Sequence, residues 1–425
     1  MKIGFVVSFF DFRNDVRRVM AEVANQHEVV IFGHAQHEAK IRAHAPAGAE
    51  FRVIDEQQTS RWNAYWERLY LLFKRIPDSR NNFFLMELFK ISNNPDANAR
   101  AKGRQLLGLI KRLPKVISYD FFLNRLRYKS NTQIADIEQF ICFTAIADDY
   151  LLARLLRGNH PVKVYVYSWD HPCKHVCFSN RTQYLCWTDD LKKDIVELQK
   201  ITPELIKVVG ASQFGYIHEF LQIDTAQLTR SYDFEYIYFG CAIGITDLVV
   251  DEINVIRSFS KVLAQVYPTW KLVVRAYPVL SKWEYYEELR QLPNVVLDDG
   301  FRTKDLSVKD DNILEKFEKI HFANGFFHLG TTMGLEACFT NTPSFIIDYG
   351  FRSYTGLSLY SFIHQHQNDR HLRDLAPHNA VVSEDYLREI LVEIDDKDFV
   401  MLNERVQERY PLKSFKEFAN DLINN

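Results

Sequence analysis

The residues best suited to chemistry lie in one segment, His328-Leu329-Gly330-Thr331-Thr332-Met333-Gly334-Leu335-Glu336-Ala337, followed by Pro343-Ser344-Phe345-Ile346-Ile347-Asp348. It reads as a strand entering a glycine–threonine turn that opens a helix. Backbone N–H groups and two hydroxyls at such a turn suit an anion, a diphosphate above all. Glu336, about one turn further along the helix, can reach a ribose hydroxyl at the same mouth. The spacing fits a structural use equally well: Thr331 or Thr332 caps the helix and Glu336 completes a capping box.

Other strand ends carry further candidates. Gly240-Cys241-Ala242-Ile243-Gly244 closes an apolar run, and its glycines allow a ligand to approach the backbone. Arg275-Ala276-Tyr277-Pro278 ends another strand. Arg275 can take a phosphate oxygen bidentately or make a surface salt bridge. A third strand runs into Ser168-Trp169-Asp170-His171-Pro172-Cys173-Lys174-His175-Val176-Cys177. Its two His and two Cys raise the possibility of zinc, but structural zinc sites usually join two separated ligand pairs. We read the segment as polar groups facing a cleft, with Lys174 toward substrate and Asp170 or His171 as proton acceptors. Asp11, just past the first strand, can act as general base or as the N-cap of the helix near Phe12. Asp233 can act as base or nucleophile at a domain junction.

These positions depend on the elements that carry them. Ile3 to Ser8 is a near-continuous apolar run, as a buried parallel strand should be. A helix over 12–25 follows, then strands at 28–33 and 51–55, which is a βαβ opening. Residues 60–135 interrupt the alternation with aromatic-rich helical patterns. From Arg100 to Lys129 nine Lys or Arg face a single acid, Asp120, with Leu106, Leu107, Leu109, Ile110 and Leu113 between them. That segment is either a solvated face or a surface for an anionic membrane or lipid-diphosphate acceptor. Alternation returns with strands at 162–167, 183–187 and 206–210 and a helix over 189–200. After a polar stretch, Asp224 to Asp233, a second series begins: strands at 236–239, 271–275, 294–297, 326–329 and 344–348, with helices over 247–266, 281–291 and 332–339. We expect an α/β chain with two Rossmann-like domains, 1–230 and 231–400, facing across a cleft. A C-terminal helix within 401–425 would cross back to the first.

Composition narrows the function classes. A formal net charge of −3 gives no global field toward nucleic acid. With 47% hydrophobic and 25% charged residues the chain is neither disordered nor fibrous. Six cysteines in 425 residues do not make a disulfide framework and suit a reducing compartment. The run from Ile3 to Phe10 meets Asp11-Phe12-Arg13 at once, with no small-residue cleavage site, so it reads as a strand rather than a signal peptide. No apolar stretch reaches spanning length. The expectation is a cytoplasmic protein, peripheral at the inner membrane face if the basic segment binds lipid.

In order along residues 160–350, several motifs resemble the GT-B glycosyltransferases of bacterial surface polysaccharides and their CDP-glycerol-transferase relatives. They are Ser168-Trp169-Asp170 with Lys174, Trp187-Thr188-Asp189, Val209-Gly210-Ala211-Ser212-Gln213-Phe214, Arg275-Ala276-Tyr277-Pro278 and Gly330-Thr331-Thr332-Met333-Gly334-Leu335-Glu336-Ala337. Tyr277 stands where that group has a phosphate-contacting His, which shifts the expected phosphate contacts to Arg275 and His328. His171 stands where it often has Asn. The resemblance implies a metal-independent transferase with no cofactor. The second domain would bind a nucleotide-sugar through Gly240, Arg275, Tyr277, His328, Gly330, Thr331, Thr332 and Glu336. The first would bind a glycan or lipid-linked acceptor of O-antigen or capsule synthesis. Some relatives transfer Kdo, so CMP-Kdo is an expected donor. Competing readings are a nucleotide-sugar 2-epimerase on the same fold and a catalytically silent subunit of a glycan assembly complex.

Overall fold

The computed structural model describes residues 1–7, 12–55, 61–73, 96–112, 119–127, 130–143, 150–169, 171–174, 178–241, 246–276, 283–300, 310–350, 353–354, 357–358, 377–395 and 397–425. The chain divides into two compact units, Met1–Gln213 with Lys413–Asn425, and Phe214–Leu412. The expected boundary near residue 230 therefore falls inside the second unit. Helix Gly215–Phe220 already belongs there, with the Tyr216 hydroxyl donating to Asp310 at 3.0 Å and Phe220 packed on Phe317.

Among the described residues, unit 1 holds a seven-stranded sheet of β1 (Lys2–Val6), β2 (Glu28–Gly33), β3 (Glu50–Val53), β4 (Gln139–Cys142), β5 (Val162–Tyr165), β6 (Gln183–Cys186) and β7 (Ile206–Val208), ordered β3-β2-β1-β4-β5-β6-β7. All its pairings are parallel. Its helices are α1 (Asn14–Ala24), α2 (Glu38–His44), α3 (Arg61–Phe73), α4 (Ala97–Arg112), α5 (Tyr119–Leu123), α6 (Tyr150–Arg157), α7 (His171–Lys174), α8 (Asp189–Gln199) and, at the C-terminus, α16 (Phe415–Asn424). In α1, Val16, Val19, Met20 and Val23 fall at helical spacing and are all buried, as an amphipathic helix on a sheet requires. Thr188 caps α8 by accepting the Leu191 N–H, and Ser414 with Glu417 forms a full capping box on α16. Residues 401–425 do not act as one element: Arg18 lies over the Phe415 ring at 4.7 Å within unit 1, whereas 401–412 stay with unit 2.

Among its described residues, unit 2 has a six-stranded parallel sheet of β8 (Tyr236–Gly240), β9 (Lys271–Arg275), β10 (Val295–Leu297), β11 (Gly325–His328), β12 (Ser344–Ile347) and β15 (Ala380–Val381), ordered β10-β9-β8-β11-β12-β15. A separate antiparallel pair, β13 (Ser353–Tyr354) and β14 (Leu357–Ser358), precedes β15. The helices are α9 (Gly215–Phe220), α10 (Thr246–Val266), α11 (Glu284–Glu287), α12 (Asp310–His321), α13 (Met333–Phe339), α14 (Glu384–Val392) and α15 (Lys397–Arg409). Strands β8, β11 and β12 are buried at every position, which explains their continuous apolar runs. Among the described residues no helix is long and apolar enough to cross a membrane.

Candidate functional site

In an open parallel sheet, ligands meet the carboxyl ends of strands where the strand order reverses. In unit 2 that point lies between β8 and β11, which end at Gly240 and His328. Register places Gly240 opposite Arg275 on one side and His328 on the other. Three of the expected binding residues therefore form one row across the sheet edge, with Gly330, Thr331 and Thr332 directly after it. The role expected of Gly240 changes, however. A Cβ there would lie 2.5 Å from the Phe326 ring, so the missing side chain admits a neighbour's ring rather than a ligand.

The turn after β11 is also self-satisfied. The Nδ1 atom of buried His328 accepts the backbone N–H groups of Gly330 at 3.0 Å and Thr331 at 3.2 Å. Two donors expected to face a phosphate are thus committed to the imidazole, and Nε2 carries the proton of the neutral ring. Gly330 has φ +89°, the left-handed conformation that lets the chain bend back in this way. Thr331 Oγ1 accepts the Met333 N–H at 3.4 Å, and Thr332, the N-cap of α13, makes no side-chain cap hydrogen bond. The capping box does not form either, because with Thr332 as N-cap the N3 position is Leu335, and Glu336, one residue further on, turns to a different partner. Its carboxylate binds Lys316 Nζ of α12 at 2.6 Å, with Glu336 buried and Lys316 nearly so. Burial lowers the Lys316 pKa, although Glu336 opposes the shift.

Arg275 makes neither an exposed salt bridge nor a free cationic end. It is buried, and its Nη1 donates to Asp298 Oδ2 at 3.0 Å. Asp298 also accepts from Lys319 Nζ at 2.8 Å and from the Tyr238 hydroxyl. Burial pushes the Asp298 carboxyl up, but Arg275, Lys319 and these hydrogen bonds outweigh it and hold the pKa below the usual carboxylate value. Arg275, Lys319 and Tyr238 thus converge on buried Asp298, and Lys316 with Glu336 forms a second pair. Sequence reading missed Asp298, Lys316 and Lys319. Asp298 directly follows a strand, and Lys316 and Lys319 share a face of α12 at i, i+3 spacing, so a signal existed without any indication of pairing. Asp233 does not join this group. It is exposed and precedes β8, at the end of that strand opposite Gly240, although the ring of its neighbour Tyr232 lies 5.9 Å from Lys319 Nζ. Tyr277 lies outside the described residues.

In unit 1 the order reverses between β1 and β4. Asp11 and Asp170 lie outside the described residues, as do His175 and Cys177 of the zinc reading. Lys174 ends α7, and His171 begins it half-buried, its N–H donating to Ser168 O at 3.1 Å. Among the described residues no group of three His, Cys, Asp or Glu is placed to hold a metal. Trp169 and Trp187, the tryptophans of two motifs, are buried with ring centroids 6.2 Å apart, so they serve the core.

A polar network that sequence reading missed centres on Asp15, in the first turn of α1. Its buried carboxylate accepts the Ser212 hydroxyl at 2.5 Å and the Tyr167 hydroxyl at 3.0 Å, and Arg13 lies over the Tyr167 ring at 4.6 Å. The Tyr165 hydroxyl donates to Gly210 O at 3.2 Å and accepts the Ser212 N–H at 2.9 Å. The Val209-Gly210-Ala211-Ser212 motif thereby ties the ends of β5 and β7 to α1. Burial raises the Asp15 pKa despite these donors. A raised folded value means that ionised Asp15 opposes folding, so its favourable contribution is full at low pH and fades as pH rises through the folded pKa. Asp15→Asn should therefore gain stability relative to wild type as pH rises from about 4 toward 7, read as diverging melting temperatures. Parallel curves would show that Asp15 titrates normally.

Taken together, the two parallel sheets with flanking helices define the GT-B fold, two Rossmann-like units in one chain. Similar solved structures cover nearly the whole of both chains. The UDP co-structure of S. aureus MnaA has a TM-score of 0.53 at 9% identity, covering 100% of this chain and 95% of that one. UDP-GlcNAc 2-epimerase from Neisseria meningitidis bound to UDP-GlcNAc has 0.52 at 10%, covering 100% and 98%. The Methanocaldococcus jannaschii UDP-GlcNAc 2-epimerase in complex with UDP-GlcNAc and UDP has 0.52 at 10%, covering 99% and 98%. No protein-family model and no curated protein matches the sequence.

Proposed function

We propose that this chain is a nucleotide-sugar enzyme that binds its donor at the carboxyl edge of the unit 2 sheet and transfers the glycosyl group to a glycan or lipid-linked acceptor. The observation that carries this reading is the meeting of Arg275, Lys316, Glu336 and the Gly330–Thr332 turn at the strand-order reversal. In this reading the phosphate of the nucleotide meets Arg275 and the Thr331 and Thr332 hydroxyls, Glu336 meets the ribose, and Gly240, Tyr277, His328 and Gly330 shape the mouth. Cationic side chains near the leaving phosphate do the electrostatic work that other enzymes assign to Mg²⁺. The acceptor hydroxyl gives its proton to Asp11, Asp170 or His171 of unit 1. Assembly of O-antigen or capsule in the cytoplasm, with CMP-Kdo among the donors, completes the proposal.

A second reading, inversion at C2 of a nucleotide-sugar, draws support from the 2-epimerases that match this fold over 98% of their length. Thermal unfolding with UDP, GDP, TDP, CDP and CMP tests both. The cognate nucleotide at a hundredfold excess over its dissociation constant should stabilise the chain by about 2.7 kcal/mol, and Glu336→Gln should diminish that gain. No shift with any nucleotide would overturn the donor site. Incubating the matching nucleotide-sugar in D2O without acceptor then separates the readings. Inversion through loss of the C2 proton places deuterium at C2, whereas a transferase leaves C2 unlabelled.

A further inference from the structure

The helical insert of unit 1 plays no part in the site described above, yet it carries a basic surface with exposed leucines and aromatics. Helix α4 holds Arg100, Lys102, Arg104, Lys111 and Arg112 and no acidic residue. Leu106 and Leu109 are 46% and 56% exposed on it, and Lys102 shares their face at i, i+4 and i, i+7 spacing. A basic helix with leucines turned to solvent has the composition of a helix lying in a bilayer interface.

A second surface of the insert has the same character. On α3 and α5, Trp62, Tyr65 and Phe121 are 40%, 57% and 39% exposed. Arg127 lies 4.3 Å over the Trp62 ring and Arg125 lies 4.5 Å over the Phe121 ring. This surface is firmly built. The Trp62 indole donates to Arg125 O at 2.8 Å, and the Asn63 amide bonds the Arg127 backbone in both directions at 2.8 Å. Amphipathic Trp and Tyr rings favour the headgroup level, where guanidinium groups meet lipid phosphate.

We infer that this insert docks unit 1 on an anionic phospholipid bilayer, with Leu106, Leu109 and the exposed aromatics entering the interface and the Lys and Arg side chains meeting phosphate. Charge complementarity selects this occupant, because α4 is wholly cationic in a chain whose net charge is −3. The inference stands apart from the nucleotide-sugar reading, since vesicle binding is measured with no nucleotide present.

The test is co-sedimentation of the full chain with phosphatidylcholine vesicles and with phosphatidylcholine–phosphatidylglycerol vesicles. Binding is expected to the anionic vesicles only, and to weaken as salt rises from about 0.1 M to about 1 M and the screening length falls from about 10 Å to about 3 Å. Lys102→Gln with Arg104→Gln should weaken it about thirtyfold, and Leu106→Gln with Leu109→Gln should weaken it at every salt concentration. All four residues are exposed, so unchanged melting temperatures will show the variants folded. No sedimentation, or equal binding to neutral vesicles, overturns the inference. Binding that ignores the leucines, or is matched by a DNA oligonucleotide, reduces the surface to a general polyanion site and overturns it as well.

Discussion

Asp298→Ala should destabilise unit 2 by about 3–5 kcal/mol, the expected effect of removing one partner from a buried ion pair. The Asp298 side chain is 2% exposed and takes hydrogen bonds from Arg275, Lys319 and Tyr238. Its loss leaves the Arg275 guanidinium buried without this carboxylate, while Lys319 keeps Glu315 at 2.7 Å. Chemical denaturation followed by the buried Trp283 of unit 2 measures the effect, with Asp298→Asn as the near-isosteric control. The Asp298 pKa is depressed in the folded state, so its contribution is fully present above the ordinary aspartate value of about 3.9 and is lost only as pH falls through the lower folded value. The stability gap between wild type and Asp298→Asn should stay constant from neutrality down to about pH 5 and close in stronger acid. A gap under about 0.5 kcal/mol at neutral pH would show the ion pair to be energetically idle.

The second large effect belongs to Gly334. A Cβ on this residue would lie 2.2 Å from His328 Nε2 and 2.5 Å from Cε1. The imidazole cannot move aside cheaply, because it is buried and its Nδ1 holds the N–H groups of Gly330 and Thr331. Gly334→Ala should therefore cost about 3 kcal/mol, the upper part of the range for overpacking a core. It should also weaken nucleotide binding, because the turn that presents Thr331 and Thr332 is built on His328. Adding His328→Ala removes the clashing ring, so the double variant should melt well above the sum of the two single effects. Simple additivity would place the damage elsewhere in α13.

Much of this architecture was legible because it is local. Strands buried on both faces must be apolar throughout, and 28–33 and 271–275 coincide with β2 and β9 residue for residue. Helix α1 followed from Val16, Val19, Met20 and Val23, and the Gly330–Thr332 turn from its place between an apolar strand and a helix. Strand β4 was missed. It has only four residues, Gln139–Cys142, and its identity rests on lying between β1 and β5, partners far away in the chain.

The sequence by itself determined the two α/β series, their strand ends and the residue types gathered there, since periodicity and turn chemistry act over a few residues. Tertiary structure decided the partners. Lys316 meets Glu336 and Asp298 meets both Arg275 and Lys319, because α12 lies beside α13 and beside the charges that end β9 and follow β10. Likewise Ser212 reaches Asp15 across 197 residues only once β7 has joined the sheet. A buried charge must find an opposite charge or a hydrogen bond, but which group answers depends on the strand order, and no spacing along the chain encodes that.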